Sequence, residues 1–513
     1  MTGQKHMSRR EMAVLNLATS ALAWGWPVLL AFAATPFIVK GLGNDGYGIR
    51  GLVASITGYF ALLDLGLNGA VTKYLAEYKA KNEEGQIAEL LGTTLTTFAA
   101  LGVAGGLTIF FLAKWFTLNL FTVPPSYYNE AIWAFRLTGL GFFLSMLTWW
   151  GSSIAPGLQR FDVFNGISIG FGTLTTLGML AAVWLGYGLI GVVVANLIAN
   201  AAAAVAYYVS TRRLLPEITI RFSFDRVMFR RTFMFGIYMV VFRVFALLFA
   251  QLDSVMIGSF IGTAAVTFYI VPQQVAQVVH GLNGKMMQII FPMASEFSSK
   301  GEADKMDRLF VRSFNLSVFI GLAIAVPLAV VGGPLLRYWV SPEMAQNSTL
   351  VIELLLLTFF LGGLTAMPTS ILGGVDAPQY TAIGAMVSGV FGAAFYFLLI
   401  KPFGIVGVAA GKALSVAITV AYYMVICHRK ARYSYNAVLR EAAKTCSIAL
   451  LVGLPAYYLL APIPGNLVEV FLLAALVSAV YCLACWFANV FDEGEKQSLI
   501  NVFKRFAPSQ LRT

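Results

Sequence analysis

The chain runs to 513 residues, 58% of them hydrophobic and 12% charged, with a mean hydropathy of +0.77. That composition excludes a soluble globular domain and a disordered segment, neither of which keeps so much apolar surface. The net charge of +11 would suit nucleic acid only on the basic face of a soluble domain, and no stretch between the apolar runs is long enough to be one.

A polar lead-in, residues 1–17, reads as a short interfacial segment. About fourteen apolar runs of roughly 20 residues follow, the length that crosses a bilayer as a helix. They are expected at 18–38, 48–71, 90–113, 130–150, 163–185 and 187–210, then at 232–258, 262–283, 311–331, 350–372, 379–399 and 403–427, with 441–461 and 465–489 closing the chain. The first run is too long, and followed by too many others, to be a cleaved signal peptide. The fold class is therefore all-α, a polytopic membrane protein.

Basic residues collect in alternate loops. One side holds Lys73, Lys79 and Lys81, then Arg212, Arg213, Arg221, Arg226, Arg230 and Arg231, then Arg429, Lys430 and Arg440. The other holds little beyond Lys40, Lys114, Arg337 and Lys401. The positive-inside rule then expects a multi-pass protein of the inner (plasma) membrane with both termini cytoplasmic.

The second half of the chain repeats the first. A shift of about 219 places Gly43 on Gly262, Glu77 on Glu296, Tyr78 on Phe297 and Lys81 on Lys300. A shift near 216 places Gly157 on Gly373, Gly188 on Gly404 and Gly191 on Gly407, and a Tyr-Tyr pair recurs as well. Each repeat holds six spans, an even number, so both have the same orientation and are related by an axis along the membrane normal. The expected organisation is an N-terminal lobe over 1–215, a pseudo-symmetric C-terminal lobe over 216–430, and two appended helices with a tail over 431–513.

Gly43-Asn44-Asp45-Gly46-Tyr47-Gly48 lies between the first two spans, followed by Leu63-Asp64-Leu65-Gly66-Leu67 and Lys73-Tyr74-Leu75-Ala76-Glu77. With the two six-helix lobes and the extra pair, this wording resembles the multidrug/oligosaccharidyl-lipid/polysaccharide flippase superfamily, and within it the polysaccharide-synthesis branch. The resemblance covers essentially the whole chain. It implies movement of an undecaprenyl-diphosphate-linked oligosaccharide between leaflets by alternating access, coupled to a gradient of H+ or Na+ rather than to ATP. Membrane lipids and a glycan polymerase are the implied partners.

Charges inside spans are costly and usually face a cavity or one another. A diphosphate crossing a low-dielectric bilayer needs cations, and arginine suits phosphate. Arg50, Arg136, Arg243 and Lys412 are therefore the candidate substrate-binding cations, with Gln273 and Gln274 beside the helix-bending Pro272. Lys412 falls where the first repeat has Asn196, and Arg243 where it has Trp24, so neither charge is needed for the shared fold. The competing reading pairs these cations with Asp64, Asp253 or Glu353, or lets them snorkel to an interface. Asp253 and Asp64 are the candidate ion-coupling groups, because a carboxylate in a poorly hydrated cavity can titrate during a cycle.

No cofactor, metal site or enzymatic machinery is expected. Gly407 to Ala413 comes nearest to a phosphate-binding loop but has one spacer too few and no Ser or Thr after Lys412. Cys482 and Cys485 form a CxxC inside a span without neighbouring ligands. An ion-coupled multidrug or cation exporter of the same superfamily is the alternative function, and a non-transporting scaffold for glycan assembly is a third.

Overall fold

A computed structural model describes residues 9–287, 290–375, 377–431, 433–491, 493, 494 and 496. All regular structure among them is helical. In chain order the helices are α1 (Arg9–Phe60), α2 (Leu67–Lys81), α3 (Glu84–Trp115), α4 (Tyr128–Ser152), α5 (Ile154–Gly157), α6 (Phe161–Trp184), α7 (Gly188–Leu214) and α8 (Arg226–Phe260). They continue with α9 (Thr263–Met287), α10 (Ile290–Ser299), α11 (Ala303–Trp339), α12 (Pro342–Gly374), α13 (Gln379–Ala431), α14 (Tyr435–Leu459) and α15 (Leu467–Phe487).

The expected spans fall largely on helix, but the one at 48–71 is broken, since α1 ends at Phe60 and Leu65 and Gly66 take positive φ before α2 begins. Nine stretches among the described residues are long and apolar enough to cross a membrane, and two of them, Gly25–Asp64 and Gln379–Lys430, each hold two expected spans. There the chain turns without a loop. Gly43 (φ 70°, ψ 172°) breaks α1 and Gly404 (φ 56°, ψ −136°) breaks α13. A positive φ is easy for glycine and strained for residues with a Cβ. Three helix entries are capped by side chains: Asp225 accepts from the Met228 N–H, Ser341 from Met344 and Asn466 from Glu469, each satisfying a donor the helix leaves orphaned.

Local devices recur at the spacing of the sequence repeat. Gly43 and Gly262 both take positive φ, as do Gly188 and Gly404, and Asn82 and Gly301. Lys81 pairs with Glu77 at 2.7 Å, and Lys300 with Glu296 at 2.5 Å. The Tyr207 hydroxyl donates to the Phe164 carbonyl on α6 at 3.4 Å, and the Tyr423 hydroxyl to the Thr381 carbonyl at 3.1 Å.

The chain forms two compact units, Met1–Val271 with Tyr396–Val408, and Pro272–Phe395 with Ala409–Thr513. In the first, α3 packs on α4, α4 on α7, α7 on α6 and α6 on α1, while α8 packs on α1 and α2. The Gly43–Gly48 motif lies against the start of α9. Asp45 accepts from the Thr263 hydroxyl, Thr267 Oγ1 donates to the Asn44 carbonyl at 2.6 Å, and Gly48 stands directly over the Thr263 carbonyl. In the second unit, α11 packs on α12, α14 and α15. Its cluster of Ala449, Tyr481, Cys485, Val490 and Phe491 is closed by Phe319, stacked on Tyr481 at 5.7 Å and edge-on to Phe491 at 4.8 Å. Such aromatic pairs add to plain area burial.

The basic end of α2 is clasped to α8. Arg231 Nη1 donates to the Tyr78 hydroxyl at 2.9 Å, and the guanidinium lies 4.9 Å over the Tyr74 ring. The hydrogen bond from Lys81 holds the Glu77 carboxyl below its ordinary value of 4.5, and the charges of Lys81, Arg231 and Lys73 act in the same direction. A carboxylate whose folded value is depressed contributes stability above its unfolded value and loses it as the pH falls through the folded one. Glu77→Gln is therefore expected to lower the melting midpoint at neutral pH, by a difference that shrinks as the pH falls below 4.5 and through the depressed folded value. A difference that persisted at acid pH would mean that charge is not what Glu77 contributes.

Candidate functional site

The intramembrane charges stand in several distinct places. In the first unit, Asp253 on α8 is completely buried (0% exposed). Its Oδ1 accepts from the Ser254 N–H at 2.8 Å and its Oδ2 from the Tyr269 hydroxyl on α9 at 3.0 Å. Tyr59, near the end of α1, and Tyr396, on α13, lie within electrostatic reach of this carboxylate. The hydroxyls of both are buried and make no hydrogen bond. Buried polar atoms are seldom left so. A buried carboxylate that accepts from a phenol hydroxyl, with two further tyrosines in its field, is suited to taking up a proton or a small cation. Among the described residues no group of three His, Cys, Asp or Glu could hold a metal ion.

Arg50, on the segment of α1 after the Gly43 break, is half-buried with its guanidinium 5.2 Å over the Tyr47 ring. It lines a cavity of about 230 Å³ with Thr57, Thr138, Ser145 and Asn196. Ser145 donates to Asn200 Oδ1 at 3.2 Å, and Asn200 Nδ2 to Asn196 Oδ1 at 2.8 Å, which fixes the polar wall between α4 and α7. No carboxylate among the described residues pairs with Arg50. An unneutralised guanidinium beside hydroxyls and amides can receive an anion and hydroxyl groups together.

Arg136, on α4, lines a separate, apolar groove between α3 and α4. Arg243 lies on α8, and its side chain is outside the described residues. Asp64 is 5% exposed and accepts from the Asn68 N–H at 3.0 Å, helping to start α2. In the second unit, Lys412 on α13 is buried (1% exposed) with its ammonium 5.8 Å from the centre of the Phe359 ring. Gln273 is buried and Gln274 half-buried, directly after Pro272 in α9.

Sequence reading found the charges and missed their neutral neighbours. Tyr59, Tyr269 and Tyr396 around Asp253 were one readable signal, since tyrosine deep inside a span lies outside the interfacial belt where it ordinarily anchors. The Asn196–Asn200 pair, four residues apart on one face of α7, was another.

Residues 16–298 match the family described as polysaccharide biosynthesis protein. A Shigella flexneri protein provisionally named an O-antigen transporter is 22% identical over 410 residues, covering 79% of this chain and 94% of its own. Among solved structures, an inward-facing multidrug resistance MATE family transporter of the MOP superfamily superposes with a TM-score of 0.70 at 13% identity, over 82% of this chain and 99% of that one. The lipid II flippase MurJ, in an inward closed conformation, superposes with a TM-score of 0.67 at 14% identity, over 89% and 98%. At these identities the structural likeness shows a shared fold.

Proposed function

The chain belongs to the polysaccharide biosynthesis protein family of the MOP superfamily, and on that premise we propose that it is a flippase for an undecaprenyl-diphosphate-linked oligosaccharide repeat unit. It carries the unit from the cytoplasmic to the outer leaflet of the inner membrane, with both termini cytoplasmic, by alternating access between lobes 1–215 and 216–430. Residues 431–513 are an appended element, and a glycan polymerase would receive the flipped unit. The Shigella relative is provisionally named a transporter, and we assign no covalent reaction to the chain.

The observation that carries this reading is cationic side chains set within apolar helices. Lys412 is buried, and Arg50 faces its cavity among hydroxyls and amides. Such charges are expensive in a bilayer and mark a pathway. Arg243, Gln273 and Gln274 complete the substrate-side candidates. Asp253 and Asp64 are the candidates for taking up the coupling proton or sodium ion, and Asp253, completely buried with a tyrosine hydroxyl from the next helix on its Oδ2, is the one to test first.

The exporter reading draws on that same buried carboxylate, since an acidic site walled by tyrosines also suits an organic cation. Removing the gene separates the two. The flippase reading expects completed lipid-linked repeat units trapped on the cytoplasmic side, unchanged drug sensitivity, and no rescue by an Asp253→Asn copy. Normal surface glycan with heightened sensitivity to cationic compounds would transfer the assignment to the exporter branch.

A further inference from the structure

The groove at Arg136 is built differently from the Arg50 cavity. It holds about 420 Å³ between α3 and α4, within the range of about 300–1,000 Å³ typical of small-molecule sites. At its floor Gly106 and Gly139 bring the two backbones together, and a Cβ on either would stand 2.5 Å from the other's carbonyl oxygen. Its rim is apolar and open: Leu107, Trp133 and Leu140 are exposed, as a surface facing lipid tails would be.

One charge stands in this setting. The Arg136 guanidinium lies 5.3 Å over the Phe110 ring and 5.1 Å over Trp133. Its Nε is buried and makes no hydrogen bond. No carboxylate among the described residues pairs with it. Arg136 comes about 12 Å along α4 from Tyr128, at 1.5 Å per residue, and helical side chains lean toward the helix N-terminus. The guanidinium therefore reaches toward the end of α4 away from the basic loops, the end nearer a membrane surface when α4 crosses the bilayer.

We infer that this groove is a binding site for an anionic phospholipid of that leaflet, its phosphate on Arg136 and one acyl chain along the Gly106–Gly139 floor. The phosphate supplies the missing counter-charge, and the aromatic sandwich holds the guanidinium pre-oriented. The site needs only that α3 and α4 span a membrane. It stands whichever cargo the protein carries.

Native mass spectrometry of the detergent-purified full chain tests this, with phosphatidylglycerol against phosphatidylcholine. The cytoplasmic-type basic loops bind anionic lipid too, so the readout is the difference between variants. Wild type and Arg136→Lys should retain one tight phosphatidylglycerol that Arg136→Gln binds about fivefold more weakly, the effect of one cation near a charged lipid. Millimolar inorganic phosphate should not displace it. Equal retention by wild type and Arg136→Gln overturns the inference, and so does displacement by free phosphate. Selective retention of undecaprenyl phosphate with phosphatidylglycerol ignored overturns it as well. If Arg136→Gln does not fold, Arg136→Met takes its place with the same loss expected, and equal retention by it and wild type overturns the inference.

Discussion

Gly48→Val is expected to destabilise the protein by about 3 kcal/mol or more, combining overpacking with the loss of two hydrogen bonds. A Cβ at this position would stand 1.8 Å from the Thr263 carbonyl oxygen and 2.6 Å from its carbon. Those are backbone atoms at the start of α9, and no rotamer change moves them. The helices must separate, and doing so pulls Thr263 from Asp45 and Thr267 from the Asn44 carbonyl. Gly166→Ala, in the second turn of α6 with nothing within 4 Å of the new carbon, is the control. It should be neutral or slightly stabilising, because alanine favours helix over glycine. Thermal unfolding in detergent compares the three proteins. If Gly48→Val melts with wild type, α1 and α9 do not meet at Gly48.

The second large effect is on transport. Lys412→Met is expected to lower glycan export about 100-fold or more, the scale of truncating one partner of a buried charge interaction, with membrane insertion intact. Methionine keeps the length and volume of the side chain, so the packing of α13 against Phe359 survives while the ammonium is lost. A purely structural role predicts lost stability, because removing one partner of a buried charge interaction is destabilising, with export falling only as far as the amount of folded protein does. Lys412→Arg should recover part of the activity. Export at the wild-type level by Lys412→Met would exclude Lys412 from the pathway.

Arg50, Arg136 and Lys412 look alike in the sequence: each is a cation within an apolar run. Their surroundings separate them. Arg50 faces threonine, serine and asparagine side chains; Arg136 lies between Phe110 and Trp133 in an open apolar groove; Lys412 is buried beside Phe359. Helical periodicity gives the facing of a residue only when the apolar and polar faces differ. In spans that are apolar all round, the facing is set by which helix packs alongside. The same limit hid the tyrosines at Asp253, which come from α1, α9 and α13 and are distant in sequence.

What the sequence determined by itself is what depends on local chemistry and on lipid as solvent. The bilayer demands helices of a minimum length whose backbone groups are satisfied within the segment, so span positions were legible residue by residue. So were the recurring glycines, because Gly43 with Gly262 and Gly188 with Gly404 occupy positions where the backbone takes positive φ, a conformation that favours glycine wherever the rest of the chain goes. Tertiary structure alone decided which buried charges share surroundings and with which neutral partners. Those surroundings are assembled from residues as far apart in sequence as Ser145 and Asn200, or Asp45 and Thr263, and no local preference of the chain encodes a neighbour at that distance.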